Sequence, residues 1–543
     1  MQTSVLTGTP VEVIVSHLPL MLKRIAHAFV AFFFGKGIGV VASLLLVPLY
    51  LHVWSLALYG EWLALYSVVA YLSNLDFSVQ TYAVNRLTQV YAKGDLNEYR
   101  LIQHTAFKFY VGIATIGTVA VALFALFAPI KTWLNLTITS GGSIAWVVLL
   151  LGVYFLWTPP ASFVTSVYST AGNLAKTQWL VNTASSLSIG LTIVALLAWP
   201  KPPVIAAVQL VGFVLVVGWA TWDVKRHHPE LMPGTRGANV TLLGPMMRQS
   251  MLFAVIDIGV AVGLQGSNLI VARLAGAAAL ALFVTTRTLA NSIRQVINTI
   301  VHSASTDLTR LEALRDEERL RVAFRLVTFA TTAGCIAISS SLWYEGASVL
   351  HAWTRGRLIP DNTLLRAFLA WLVLQSPWIT ASSIAQYTNK HRLVALAFFT
   401  SNVAGLALSV VLVPRLGLAG IPFSFMLAEA VVCYHWVIRD ACRIVAQPYW
   451  SFALRLWTGL IFLAVLSLTA TALVHRISGD GLFAKWLASG IASLFVVVLG
   501  SYLFWFRSEE RKFVKEKSAS GARYLGRLLI SRKATEAPQL LGR

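Results

Sequence analysis

Charges are scarce in the apolar runs of this chain, so each one that interrupts a run needs a chemical reason. Lys36 stands in AFFFGKGIGVVA (residues 31–42), Asp257 in SMLFAVIDIGVAVGLQGSNLIVA (250–272), and Arg287 and Arg294 in ALFVTTRTLANSIRQVINTIVHSAS (281–305). A cation facing hydrocarbon costs roughly 2.5–3.5 kcal/mol even on insertion-based scales, so these residues are expected to face a protein interior or a watery cavity. Counted from residue 26, Lys36 lies about ten residues along a helix, on the order of 15 Å in. Snorkelling to the interface is the alternative, and the lysine stem is short for that depth. Arg287 and Arg294, with Asn291 and Gln295 near them, lie two turns apart on one helical face. Guanidinium forks stay protonated and pair bidentately with phosphate-type anions, so this face suits such an anion; packing against helix carbonyls is the alternative. Gln265 and Asn268 offer amides to a ligand's hydroxyls or, equally, to a neighbouring helix. Asp257, and Asp76 in LSNLDFS (72–78), are read as coupling or gating carboxylates. A structural Lys36–Asp257 ion pair and a capping role for Asp76 are the competing readings.

The elements that must position these residues are membrane helices. Of 543 residues, 57% are hydrophobic and only 12% charged, with a mean hydropathy of +0.71, whereas soluble domains carry about 25% charged residues. Apolar segments of roughly 20 residues recur along the chain, each long enough to cross a hydrocarbon core of about 30 Å. They are continuous rather than alternating, which predicts an all-α, polytopic membrane protein of about 14 transmembrane helices and not a barrel. Spans are expected near 26–53, 60–84, 105–129, 144–169, 178–199, 203–222, 248–272, 278–304, 323–344, 364–386, 393–413, 419–438, 453–474 and 484–506. Pro48, Pro159, Pro160 and Pro377 are places where spans could break or kink.

Basic residues crowd alternate loops, as in Lys23 and Arg24, Arg86, Lys93 and Arg100, and Arg310, Arg315, Arg319 and Arg321. The positive-inside rule then puts both termini in the cytoplasm. It also explains the net charge of +21 as topology, so no nucleic-acid partner is expected. The N-terminus has no charged segment followed by a small-residue cleavage site, so its first span is expected to be retained. The basic tail from Arg507 suits a helix on an anionic inner leaflet, or a solvated tail that only fixes topology. Cys335, Cys433 and Cys442 lack framework or metal-ligand spacing and read as packing residues, and no metal or cofactor is expected.

The chain repeats itself. NRLTQVYAKGDLNEYR from Asn85 aligns with TDLTRLEALRDEERLR from Thr306 at an offset of 221 residues, matching Leu87 with Leu308, Asp95 with Asp316 and Arg100 with Arg321. The same offset sets Asp257 opposite Lys36. Two six-helix lobes in the same orientation are a transporter signature. The expected organisation is an N-terminal lobe (1–222), a cytoplasmic linker (223–247), a C-terminal lobe (248–443), two further helices (444–506) and the basic tail (507–543).

PLYLHVWSLALYGEWLALYSVVAYLSNLDFSVQTYAVNRL (48–87), the KGD-type helix after it and WTRG (Trp353–Gly356) resemble polysaccharide biosynthesis membrane proteins. These are the O-antigen and exopolysaccharide flippases of the multidrug, oligosaccharidyl-lipid and polysaccharide exporter superfamily. YGEW (Tyr59–Trp62) and LDFSV (Leu75–Val79) are the clearest motifs; Ser78 stands where a glycine is commoner. The resemblance implies two lobes around a central cavity that move an undecaprenyl-pyrophosphate-linked oligosaccharide outward by alternating access. Lys36, Arg287, Arg294, Asn291, Gln265 and Asn268 would then contact substrate. A coupling ion (H+ or Na+), membrane lipid and polysaccharide polymerase or glycosyltransferase partners are the associations it implies.

Other classes fit less well. GxGxG at Gly35, Gly37 and Gly39 follows no strand, so it reads as helix packing or bending rather than nucleotide binding, and no P-loop lysine motif is present. A glycosyltransferase or ligase would need catalytic side chains in a substantial outer loop, and 345–363 supplies only Glu345 and Asp361 as acids. A multidrug or cation antiporter favours an acidic cavity, whereas Lys36, Arg287 and Arg294 favour anions. A lipid II flippase shares the same physics with a different glycan.

Overall fold

The computed structural model describes residues 10–76, 79–387, 391–477 and 481–512. Its helices are α1 (Pro10–Val53), α2 (Leu56–Ala70), α3 (Val79–Ala92), α4 (Leu96–Phe127), α5 (Ile130–Trp133), α6 (Gly141–Thr170), α7 (Leu174–Ala198), α8 (Pro202–His227) and α9 (Leu243–Ala275). They continue with α10 (Ala277–Ala313), α11 (Glu317–Trp353), α12 (Asn362–Tyr387), α13 (Arg392–Leu416), α14 (Gly420–Val431), α15 (Cys433–Ile444), α16 (Tyr449–Ile477) and α17 (Leu482–Gly500). Among the described residues the regular structure is helical throughout, and twelve segments are long and apolar enough to cross a membrane. The count falls two short of the expected fourteen for physical reasons. α10 is long enough but its polar face lowers its hydropathy, and α13 and α14 run on as one apolar stretch, Arg392–Val431. The expected second span also does not run straight to residue 84. It ends in a 3-10 turn, Tyr71–Asp76, before α3 begins. Ser73 competes with the helical backbone there, its Oγ donating to the Ala70 carbonyl at 2.7 Å.

The chain forms two compact units. One comprises residues 1–288, 350–360 and 398–425, the other 289–349, 361–397 and 426–543.

In the first unit α1 packs along α7, and α6 packs between α4 and α8. YGEW has a structural account at each position. Tyr59 stacks on Tyr50 at 5.3 Å, and Trp62 meets Trp54 edge-on at 5.9 Å. Glu61 is fully buried, and its carboxylate accepts the backbone N–H groups of Thr137, Ile138 and Thr139 at 2.5–2.7 Å, clamping the turn that precedes α6. A Cβ added at Gly60 would lie 1.7 Å from the Ala277 carbonyl oxygen. Gly60→Ala is therefore expected to prevent normal assembly of α2 against α10, read as loss of the folded monomer peak in detergent. Gly37→Ala and Gly39→Ala, which meet nothing within 4 Å, are expected to leave that peak unchanged. Of the GxGxG, only Gly35 is packed, against Asn182 and Gln178 of α7. A glycine stripe passed over in the sequence does more: Gly259, Gly263 and Gly266 let α9 approach Phe399, Asn402 and Leu406 of α13.

Of the two outcomes expected at the prolines, a break is not made: the helices run on through Pro48, Pro159, Pro160 and Pro377. Beside the pair in α6, the Thr158 and Ser162 hydroxyls donate to the carbonyls of Tyr154 and Pro159, supplying hydrogen bonds near those the prolines cannot make.

The repeat is visible locally. Asp95 caps α4 through the N–H groups of Asn97 and Glu98, and its counterpart Asp316 accepts from Arg319 N at 3.1 Å. The residue before each is left-handed: Gly94 at φ 78° and Arg315 at φ 54°. WTRG also has work to do, since Trp353 Nε1 donates to the Leu44 carbonyl of α1 at 2.8 Å, and Gly356 closes the turn at φ 75°.

In the second unit α16 and α17 pair, and their end is latched to α11 by charge. Arg325 meets Glu509 Oε2 at 2.5 Å and Glu510 Oε1 at 2.8 Å, and Arg455 of α16 reaches Glu510 at 3.1 Å. Trp505 stacks on Phe329 at 4.7 Å. Burial alone would push the Glu510 carboxyl up, but the hydrogen bond and charge of Arg455, with the charge of Arg325, hold it below its ordinary 4.5. A depressed carboxyl contributes stability that is complete above its unfolded value and lost as pH falls through the folded one. Thermal stability is thus expected to drop below about pH 4.5, and less steeply in Glu510→Gln.

The three cysteines are buried and form no disulfide among the described residues. Glu345 is buried against His475 Nδ1 at 2.5 Å, and Asp361 caps α12 through Thr363 and Leu364. Both acids of 345–363 thus make structural contacts. The basic tail is described only as far as Lys512, so its reading as a membrane-surface helix lies almost wholly outside the described residues.

Candidate functional site

Arg287 lies in the first unit, on the first turns of α10. It is 9% exposed, its fork donating to Asn268 Oδ1 at 2.9 Å, Ser267 Oγ at 3.2 Å and the Leu264 carbonyl at 3.3 Å. Asn268 in turn donates to Ser67 Oγ of α2 at 2.8 Å. Four residues earlier, Phe283 lies under the guanidinium, 5.1 Å from ring centre to Cζ. One cation thus ties three helices, its described acceptors being an amide, a hydroxyl and a backbone carbonyl. Of the two readings open for Arg287 and Asn268, helix-to-helix bonding is what this conformation displays. Arg287→Met is expected to lower thermal stability by about 2–4 kcal/mol, since it orphans Asn268 and the Leu264 carbonyl, measured by ligand-free melting in detergent.

Lys36 behaves differently. It is exposed on α1 within the apolar span Val30–Val53, with its ammonium 5.4 Å from the Phe32 ring centroid. Among the described residues no carboxylate lies within ion-pair distance of it. The expected Lys36–Asp257 pairing is thus not made in this conformation. Asp257 is exposed on α9, Gln265 half-buried farther along the same helix, and Asn291 half-buried on α10. Asp76 closes the 3-10 turn after α2.

Arg294 lies in the second unit and brings in a residue that the sequence reading missed. Its guanidinium sits over Trp371 at 5.8 Å and within electrostatic reach of Glu429 of α14. Glu429, 4% exposed, accepts from Trp371 Nε1 and Trp378 Nε1 at 3.0 Å each and from Gln375 Nε2 at 2.8 Å. The three donors recur at i, i+4 and i+7 on one face of α12, so a single helical stripe builds the cage. Arg294 Nε is buried without a hydrogen-bond partner among the described residues. The cage therefore holds one anion fully and one cation incompletely. The signal was present in the sequence: Glu429 is a lone acid in GIPFSFMLAEAVV, an intramembrane charge like Lys36.

No protein-family model matches this sequence, and no curated protein matches it. Solved structures do. An inward-closed lipid II flippase MurJ superposes with a TM-score of 0.65 over 88% of this chain and 98% of that one, at 12% identity. The fold is that of MOP-superfamily transporters. An inward-facing multidrug resistance MATE transporter of that superfamily gives 0.62 at 14% identity, over 74% of this chain and 95% of that one. A third, from Pyrococcus furiosus, gives 0.56 at 12% identity over 78% and 97%. Its description reports a binding pocket of reversed polarity that suggests a different function. Within this shared fold, which residues carry cargo depends on the charges each chain places in its helices.

Proposed function

We propose that this chain is a flippase that moves an undecaprenyl-pyrophosphate-linked oligosaccharide, an O-antigen or exopolysaccharide repeat unit, across the bacterial inner membrane by alternating access. Lys36 carries the reading: an exposed ammonium within an apolar span, with no carboxylate in ion-pair reach among the described residues, is costly unless an anion visits it. Arg294 supports it as a second incompletely satisfied cation, and a pyrophosphate is an anion such cations would bind. Arg287 and Asn291 complete the head-group contacts, and Gln265 and Asn268 face sugar hydroxyls in conformations that release them from their packing. Asp257 and Asp76 gate or couple the cycle to H+ or Na+, and both termini are cytoplasmic. A polymerase or glycosyltransferase uses the same lipid-linked glycan on either side of the step.

Purified protein in vesicles that carry the lipid-linked glycan in both leaflets tests this, with a membrane-impermeant glycosidase added outside. The expected result is that the whole glycan pool becomes cleavable with protein and only the outer share without it. If the inner share stays protected while ethidium is exported, the multidrug reading replaces this one.

A further inference from the structure

The first unit holds a cavity of about 700 Å³ that none of the residues above enters. Three helices build it from faces of helical period. α3 presents Tyr82, Asn85, Arg86 and Gln89, α4 begins there with Glu98 and Ile102, and Met246 of α9 closes the apolar floor. Its volume falls in the range of roughly 300–1,000 Å³ typical of small-molecule sites. Its electrostatics exclude a phosphate as the favoured guest. Among the described lining residues Arg86 is the one cation and is committed to Glu98 at 2.7 Å, so their charges balance. What remains uncommitted is a pair of carboxamides. Asn85 and Gln89 are exposed, one turn apart, and make no hydrogen bond with the described residues. Side chains four apart on a helix stand about 5–6 Å from one another, on the order of the separation of hydroxyls across a pyranose ring. Each amide offers both a donor and an acceptor, which is what a vicinal diol requires. The half-buried Tyr82 ring adds an apolar face for the sugar's C–H side.

We propose that this cavity is a carbohydrate site that reads the glycan part of the transported lipid, with Asn85 and Gln89 as its recognising residues. The identity of the ligand rests on the flippase reading, whereas the sugar chemistry rests on the cavity alone. The internal repeat agrees with a site confined to one copy. At the offset of 221 residues the amides become Thr306 and Arg310, and the Arg86/Glu98 pair becomes Asp307/Arg319, with its charges reversed.

Saturation-transfer NMR on the full-length protein in nanodiscs tests the site, with millimolar methyl glycosides of glucose, galactose, mannose, N-acetylglucosamine and rhamnose as probes and sodium pyrophosphate as competitor. At least one glycoside is expected to receive saturation from the wild type. Asn85→Ala/Gln89→Ala is expected to lower that transfer about tenfold, Thr88→Ala, which does not line the cavity, to leave it unchanged, and pyrophosphate not to compete. Equal transfer in the double variant, no transfer to any glycoside, or displacement by pyrophosphate would overturn the proposal. The vesicle assay separates the two readings. A double variant that moves glycan with an unaltered KM removes the site and leaves the flippase. Sugar binding that depends on Asn85 in a protein that moves no glycan removes the flippase and leaves the site.

Discussion

Lys36→Ala should abolish transport while leaving the fold intact. The side chain is exposed, with its ammonium 5.4 Å from the Phe32 ring centroid, so its removal takes away little packing. What disappears is the charge that meets the substrate. A charge-assisted hydrogen bond is worth about 1.5–3 kcal/mol, which corresponds to a loss of roughly 10- to 150-fold. Lys36→Arg, which keeps a cation at the same place, should retain a measurable fraction of the rate. The readout is initial flipping rate in vesicles, beside a melting temperature that should stay within about 2 °C of wild type, as for an exposed substitution of small stability effect. A variant that melts normally and transports at the wild-type rate would remove Lys36 from the site.

Glu429→Ala should produce the largest stability loss. Removing the carboxylate leaves three buried N–H donors, from Trp371, Trp378 and Gln375, without their acceptor. It also strips Arg294 of the anion that offsets its charge. Breaking a buried charged arrangement by deleting one partner costs about 3–5 kcal/mol, so the variant should be recovered poorly and melt far below wild type. Glu429→Gln keeps an acceptor oxygen for part of the cage and should cost less. Adding Arg294→Met to Glu429→Gln removes the uncompensated cation and should recover part of the loss. Non-additivity in that double-variant cycle is the signature of direct coupling. Additive effects would show that the two charges do not sense each other.

The fold was largely legible because lipid leaves the backbone few options. Uninterrupted apolar runs dictate helices, and the KGD and LRD turns of the repeat announce the caps that Asp95 and Asp316 make. The errors came where local polar chemistry overrides hydropathy. One span ends early in the 3-10 turn Tyr71–Asp76, and the polar face of α10 keeps that helix from reading as an ordinary span. The prolines do not break their helices, and in α6 the hydroxyl side chains beside them supply hydrogen bonds.

The site was legible only in part. Intramembrane charge picked out Lys36, Arg287 and Arg294, but no spacing rule tells that Arg287 is spent on Ser267 and Asn268 while Lys36 is left exposed. That distinction arises from contacts between helices distant in sequence, such as Asn268 with Ser67. Glu429 was overlooked although it satisfies the criterion that selected Lys36, and its cage needs α12 beside α14, which no local pattern encodes.

The most direct test of the central reading is the sidedness of the lipid-linked glycan in a deletion strain complemented with wild type, Lys36→Ala or Arg294→Ala. The flippase account predicts that deletion traps the pyrophosphate-linked precursor in the cytoplasmic leaflet and removes surface glycan. It further predicts that wild type restores both and that the two charge variants, though present in the membrane, restore neither. Intact surface glycan in the deletion strain, with raised sensitivity to cationic drugs, would contradict it.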